Sequence, residues 1–316
     1  MACSQTIMVS PPTKSESTNA TVPEASVKYA SPPFDDQRGD IILQSSDQVK
    51  FRVSKFILTM ASSVFSDMFS LPQPPSEGEG SAEIPVIPVS ESRSTLDIAL
   101  RICYPIRGPQ LAEENVLTII NVLVMGLKYN IDVVIDAAEA AFRSRVNTSE
   151  EDAVIGYAVA CSVHRYQEAQ VAATASLRWP ASDTRFPELA LMTGLDHFDF
   201  LDFRRRASSA VENLICRETF YTDTYPEFID TDALCYRCQT NDWKFASARL
   251  LRTALTDAPL DLEKVTLATI SDALPSNCSC KNTIIKRWDN ARGNIVEAIQ
   301  SEVAKVRNKF CMFSCT

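Results

Sequence analysis

Histidine is scarce: only His164 and His197 occur in 316 residues, so any nucleophile–histidine–acid triad would have to use one of them. Neither sits in a nucleophile context. The chain also lacks Gly-x-Ser-x-Gly, His-Glu-x-x-His, a phosphate-binding P-loop and Gly-x-Gly-x-x-Gly. His164 follows a helix expected to end at Val163, where the helix dipole favours a cation, and His197 lies among Asp196, Phe198 and Asp199 near a helix start, so both read as structural. No enzyme is expected. Long apolar runs are missing too. Met1 to Lys14 has no signal-like core, and stretches such as Val122–Leu127 are far too short to span a bilayer. No membrane contact is expected, and the chain is placed inside the cell, in cytosol or nucleus. Positive charge is in deficit, with 31 basic against 40 acidic residues and a net charge of -9. With no stripe of interleaved basic and aromatic residues, nucleic-acid binding is not expected.

What the chain does have is the balance of a globular protein, with 45% hydrophobic and 22% charged residues. Residues 1–33 are the exception, a Ser/Thr/Pro-rich stretch without hydrophobic period that reads as a disordered tail. From Gly39 the pattern becomes regular. Ile41-Ile42-Leu43, a polar turn, and Val49, Phe51 and Val53 alternating with polar residues predict a hairpin. Phe56, Met60, Val64, Met68 and Phe69 recur at near-helical spacing, interrupted at Ala61-Ser62-Ser63, which predicts two short helices meeting at a serine cap. Met60, Met68 and Met125 read as core filler. Residues 72–81 read as an exposed loop. Ile84 to Val89 carries two prolines and can be an edge strand at best. Three periodic helices follow, on Leu96–Cys103, Val116–Leu127 and Val133–Phe142.

Beyond Val146 only helices are expected. Ser149 and Asp152 mark a capped start, Ala169–Ala175 a small-residue helix able to pack closely, and later segments carry Phe200, Phe203, Ala207 and Leu214, then Trp288, Ile295, Ile299 and Val303. The acidic pairs Glu113-Glu114 and Glu150-Glu151 fall at helix starts, where the dipole explains them. Arg204-Arg205-Arg206 reads as a solvated helix face rather than a nuclear signal or anion site. Cys235-x-x-Cys238 and Cys278-x-Cys280 could be clipped together by a structural zinc ion as a four-thiolate site, or remain unligated thiols near a loop. Together the residues predict an α+β domain over 34–146 and an all-helical extension over 147–316.

The run Asp40 to Leu43, then Phe51 to Leu58, then Ala61 to Phe69 resembles the BTB/POZ family, with Ser54 where the family has histidine. Met68 to Pro74 and Ile87 to Glu91 are similar to BTB proteins of mushroom-type fungi. The resemblance implies a BTB/POZ fold, a short mixed sheet with a cluster of helices, and dimerisation or partner binding through the first helices and strand edges. By position, Asp40 and Lys55 match a charged pair lining the family's dimer groove; the plainer reading is that Asp40 caps the hairpin and Lys55 is solvated. Asp40, Lys55, Phe56 and Met60 are the expected partner-binding residues, and a BTB chain, the same or another, is the expected partner. Cullin-3 is a further partner the family implies, although Ser70 to Pro74 lacks the apolar-x-Glu of such adaptors. A dimerising adaptor or scaffold is thus the leading expectation. Its alternatives are a zinc-binding regulator, a cullin-3-type adaptor, and a thiol or zinc enzyme using Cys235, Cys238, Cys278 and Cys280.

Overall fold

A period of two puts Val49, Phe51 and Val53 on one face of an extended segment. In the computed structural model, which describes residues 28–71, 84–181, 184–217, 220, 242–274 and 280–309, those three are buried and Lys50 and Arg52 are half-buried. The strands are β1 (Lys28–Tyr29), β2 (Ile41–Gln44), β3 (Val49–Val53) and β4 (Val86–Pro88), in the sheet order β1-β3-β2-β4. β2 and β3 form the expected antiparallel hairpin, with Leu43 opposite Phe51. In its turn Ser45 Oγ accepts the Val49 N–H at 3.0 Å and Gln48 takes a left-handed φ of 62°. Gly39 precedes the hairpin because a Cβ there would lie 2.9 Å from the Arg52 and Val53 backbone. β4 pairs in parallel with β2 at one edge, where the missing N–H of Pro88 costs the ladder nothing. At the other edge the structure corrects the reading of residues 1–33 as tail throughout. Lys28 and Tyr29 pair in parallel with Val49 and Lys50, and Ala30 is buried. Two paired residues carry no period, and their partner lies about 20 residues away, so the pattern could not show them.

The next residues fold as two short helices, α1 (Lys55–Ala61) and α2 (Ser63–Ser70). Ser62 joins them. Its N–H closes α1 on Leu58 O at 2.9 Å, its Oγ accepts from Phe65 N at 3.1 Å, and its hydroxyl donates to Tyr129 O. α3 (Arg93–Cys103), α4 (Val116–Lys128) and α5 (Asp132–Arg145) follow as the periodicity predicts. α4 buries Val116, Ile119, Ile120, Val122, Leu123 and Met125 and is the centre of this half. Glu91, just past β4, ties the sheet to it, accepting from Lys128 Nζ at 2.8 Å and Tyr129 OH at 3.0 Å. Burial pushes the Glu91 carboxyl up, but the Lys128 ammonium, a backbone N–H and the Tyr129 hydroxyl together outweigh it and hold the group below its ordinary value. A carboxyl lowered by folding adds stability above its unfolded pKa of about 4.3 and loses it as pH falls through the folded value. Glu91→Gln is therefore expected to cost about 1 kcal/mol at neutral pH and to flatten the loss of stability on acidification, checked by urea melts at neutral and acidic pH.

After Val146 every described element is helical: α6 (Glu150–Ser162), α7 (Tyr166–Ser176), α8 (Gly194–Ile215), α9 (Asp242–Leu255) and α10 (Cys280–Asn308), with short single turns between. Ser149 Oγ accepts from Asp152 N at 3.1 Å to start α6. Small residues let α7 close on α6, and a Cβ on Gly156 would stand 2.7 Å from Val146 Cγ1 and 3.4 Å from Ala172 and Phe142. Since Phe142 and Val146 end the first half, the extension shares one continuous core with it. Ile284, Trp288, Ala291, Ile295, Ile299 and Val303 form the buried stripe of α10. Arg204 is a second correction. It is 8% exposed and bonded to Ser176 and Trp179, because consecutive residues of a helix point about 100° apart and one of three must face inward. No described helix is long and apolar enough to cross a membrane.

Candidate interaction surface

α1 presents two faces. Leu58 is fully buried, whereas Phe56 and Met60, four residues apart and so one above the other on the helix, are 73% and 74% exposed. A phenylalanine and a methionine that open to solvent on a seven-residue helix gain nothing from the chain's own core. This corrects the reading of Met60 as core filler, which holds for Met125 at 2% exposure. The period of the segment misled because α1 and α2 point in different directions, so apolar spacing across Ser62 does not define one face.

The start of α1 is held from outside the helix. Ser54, at the N-cap position, makes no side-chain capping bond; instead Asp40 Oδ1 accepts the Lys55 N–H at 2.7 Å, and Tyr104 OH accepts the Ser54 N–H at 2.8 Å. A carboxylate at a helix N-terminus is favoured by the exposed N–H groups there. Asp40 thus caps α1 rather than the hairpin. Lys55 turns its ammonium over the Phe69 ring, 5.9 Å from the centroid. Asp40, Lys55 and Phe56 thus lie at the hairpin-helix junction, and Met60 stands one turn further along α1. Tyr104 follows the last residue of α3. Its ring packs edge-on to Phe34 at 5.3 Å, which aims the hydroxyl at Ser54.

The edge strands are two and three residues long, and short edges of this kind limit strand addition. Past α2 the stretch continues only to Leu71 among the described residues, so Pro72, Gln73 and Pro74 lie outside them. Cys235, Cys238 and Cys278 also lie outside them; Cys280 opens α10. Among the described residues no group of three His, Cys, Asp or Glu is placed to hold a metal ion. Burial pushes the Cys103 thiol up to about 11 and the Cys161 thiol up to about 12, so neither is a thiolate nucleophile at neutral pH. His164, two residues past the end of α6, takes a left-handed φ of 56°, and His197 lies in the first turn of α8.

The junction carries two open apolar side chains beside a capped, charged helix start. No curated protein matches the chain. Residues 34–145 match the BTB/POZ domain family, and with the small mixed sheet, the α1–α2 pair and helices α3 to α5 this part of the chain is a BTB/POZ domain, a protein-interaction fold, followed by a helical C-terminal region.

Proposed function

We propose that the chain is an intracellular adaptor or scaffold that pairs through its BTB domain with a second copy or another BTB protein, burying Phe56 and Met60, while the helical region engages a further partner. The observation that carries this is the exposure of both side chains on one face of α1. Aromatic and methionine side chains are enriched at the centres of protein interfaces, and a few such anchors supply most of the binding energy. Asp40 and Lys55 at the start of the same helix would form the polar rim that selects the partner.

Light scattering of the full-length chain over a range of concentrations tests the pairing. The wild type is expected to move from monomer to dimer. Phe56→Glu with Met60→Glu, which places two charges in the apolar contact, is expected to weaken association roughly 100-fold with unchanged far-UV circular dichroism. A wild type that stays monomeric at every concentration would remove self-pairing, and a variant that associates like wild type would remove α1 as its surface.

A further inference from the structure

On a chain of net charge -9, one groove is lined with cations. It runs between α8 and α10 and encloses about 430 Å³, with Arg205, Arg206 and Arg217 on one wall and Lys305 and Lys309 on the other. Two carboxylates meet these five. Glu302 inside the groove binds Lys305 at 2.7 Å and Arg217 at 3.4 Å, and its carboxyl is held below the ordinary range, chiefly by the Lys305 hydrogen bond. Asp202, beside it, pairs with Arg205 and lies 3.6 Å from Arg206. Five cations against two carboxylates leave this cluster a net charge of +3. The cations stay open to a ligand, with Arg205, Lys305 and Arg217 being 75%, 63% and 53% exposed.

We infer that this groove is a docking site for an acidic, Asp/Glu-rich peptide segment of a partner protein. Arg205 on α8 and Arg217, two residues past its end, are separated by more than two helical turns, about 15 Å along the axis, which suits an extended chain rather than a single small anion. Guanidinium groups bind carboxylates with two parallel hydrogen bonds. Ser209 and Asn213 lie between them and can bond a peptide backbone, and Ala210 and Val306 give the groove an apolar element. A nucleic-acid strand fits less well. No aromatic side chain lines the groove to stack a base. The inference does not rest on pairing through α1.

The test is fluorescence anisotropy of a labelled oligoglutamate with the full-length chain. Saturable binding is expected, weaker as salt rises from about 50 mM to about 200 mM. Arg206→Gln with Lys309→Gln, both surface changes, is expected to lower affinity roughly tenfold; Arg205→Glu with Lys305→Glu is expected to abolish binding. Circular dichroism melts matching wild type would show that neither variant acts by unfolding. Oligoglutamate that fails to bind, or binds both folded variants as tightly as wild type, would overturn the assignment. So would an oligothymidylate of equal charge that binds more tightly through the same residues.

Discussion

Arg204→Ala is expected to destabilise the helical region by about 3 kcal/mol. The side chain is buried against Phe200, its guanidinium 5.9 Å from that ring. Its Nη1 donates to Ser176 O at 2.6 Å and to Ser176 Oγ at 3.0 Å, and its Nη2 donates to Trp179 O at 2.9 Å. Ser176 is the last residue of α7, where carbonyls lack intrahelical donors and the dipole favours a cation. The arginine therefore closes the end of α7 from α8 and fixes the chain's exit from that helix. Burial lowers its pKa, yet a guanidinium starts so high that it stays charged at neutral pH. Alanine would leave Trp179 O without that donor and Ser176 O with only the 3.3 Å bond from Trp179 N. Arg204→Lys keeps the charge but loses the planar fork, and is expected to recover less than half of the loss. Urea melts of the three proteins read this directly, and a cost under about 0.5 kcal/mol for alanine, the ordinary value for a surface change, would mean that the site is effectively solvated.

How much of this was legible follows from how local each feature is. The β2–β3 hairpin, the serine junction at Ser62, α3 to α5 and the Ser149 start of α6 are written in short-range periods and caps, and each lies where the pattern placed it. β1 was hidden because its pairing is made with a distant strand and its two residues define no alternation. Arg204 was legible in principle. It shares a face with Phe200 and Ala207, four before and three after and both apolar, but three consecutive arginines read as one charged run. The candidate surface was half legible. The family pattern picks out Asp40, Lys55, Phe56 and Met60 as a set, whereas hydrophobicity alone assigns Phe56 and Met60 to a core. Only the turn between α1 and α2 decides the matter, by sending Leu58 and Phe65 inward. The capping of α1 by Asp40 could not be read at all, since the bond spans fifteen residues and depends on where the hairpin ends.

Phe65→Ala is expected to cost about 4 kcal/mol and to disable the α1 surface without touching it. Phe65 is fully buried, stacked on Tyr129 with ring centroids 4.8 Å apart and planes 9° apart, and 5.8 Å from Phe69. α1 and α2 have seven and eight residues, too few to persist as helices in water without tertiary packing. Phe65 is the largest fully buried side chain that either contributes. Its removal leaves a cavity beneath Ser62, the residue that both ends α1 and begins α2, so the face carrying Phe56 and Met60 should lose its orientation along with its stability. Phe65→Leu keeps apolar volume but loses the ring stacking, and is expected to cost about 1.5 kcal/mol. Two probes separate the local effect from the global one. All three tryptophans, Trp179, Trp243 and Trp288, lie beyond the BTB domain, so tryptophan emission follows the helical region while far-UV circular dichroism follows the whole chain. Because Gly156 packs on Phe142 and Val146, both signals are expected to shift to lower urea together in Phe65→Ala, as two-state unfolding of a shared core requires. If circular dichroism moved and the tryptophan transition stayed in place, the domain and the extension would be separate folding units, and the junction at Gly156 would be a contact between them rather than part of one core.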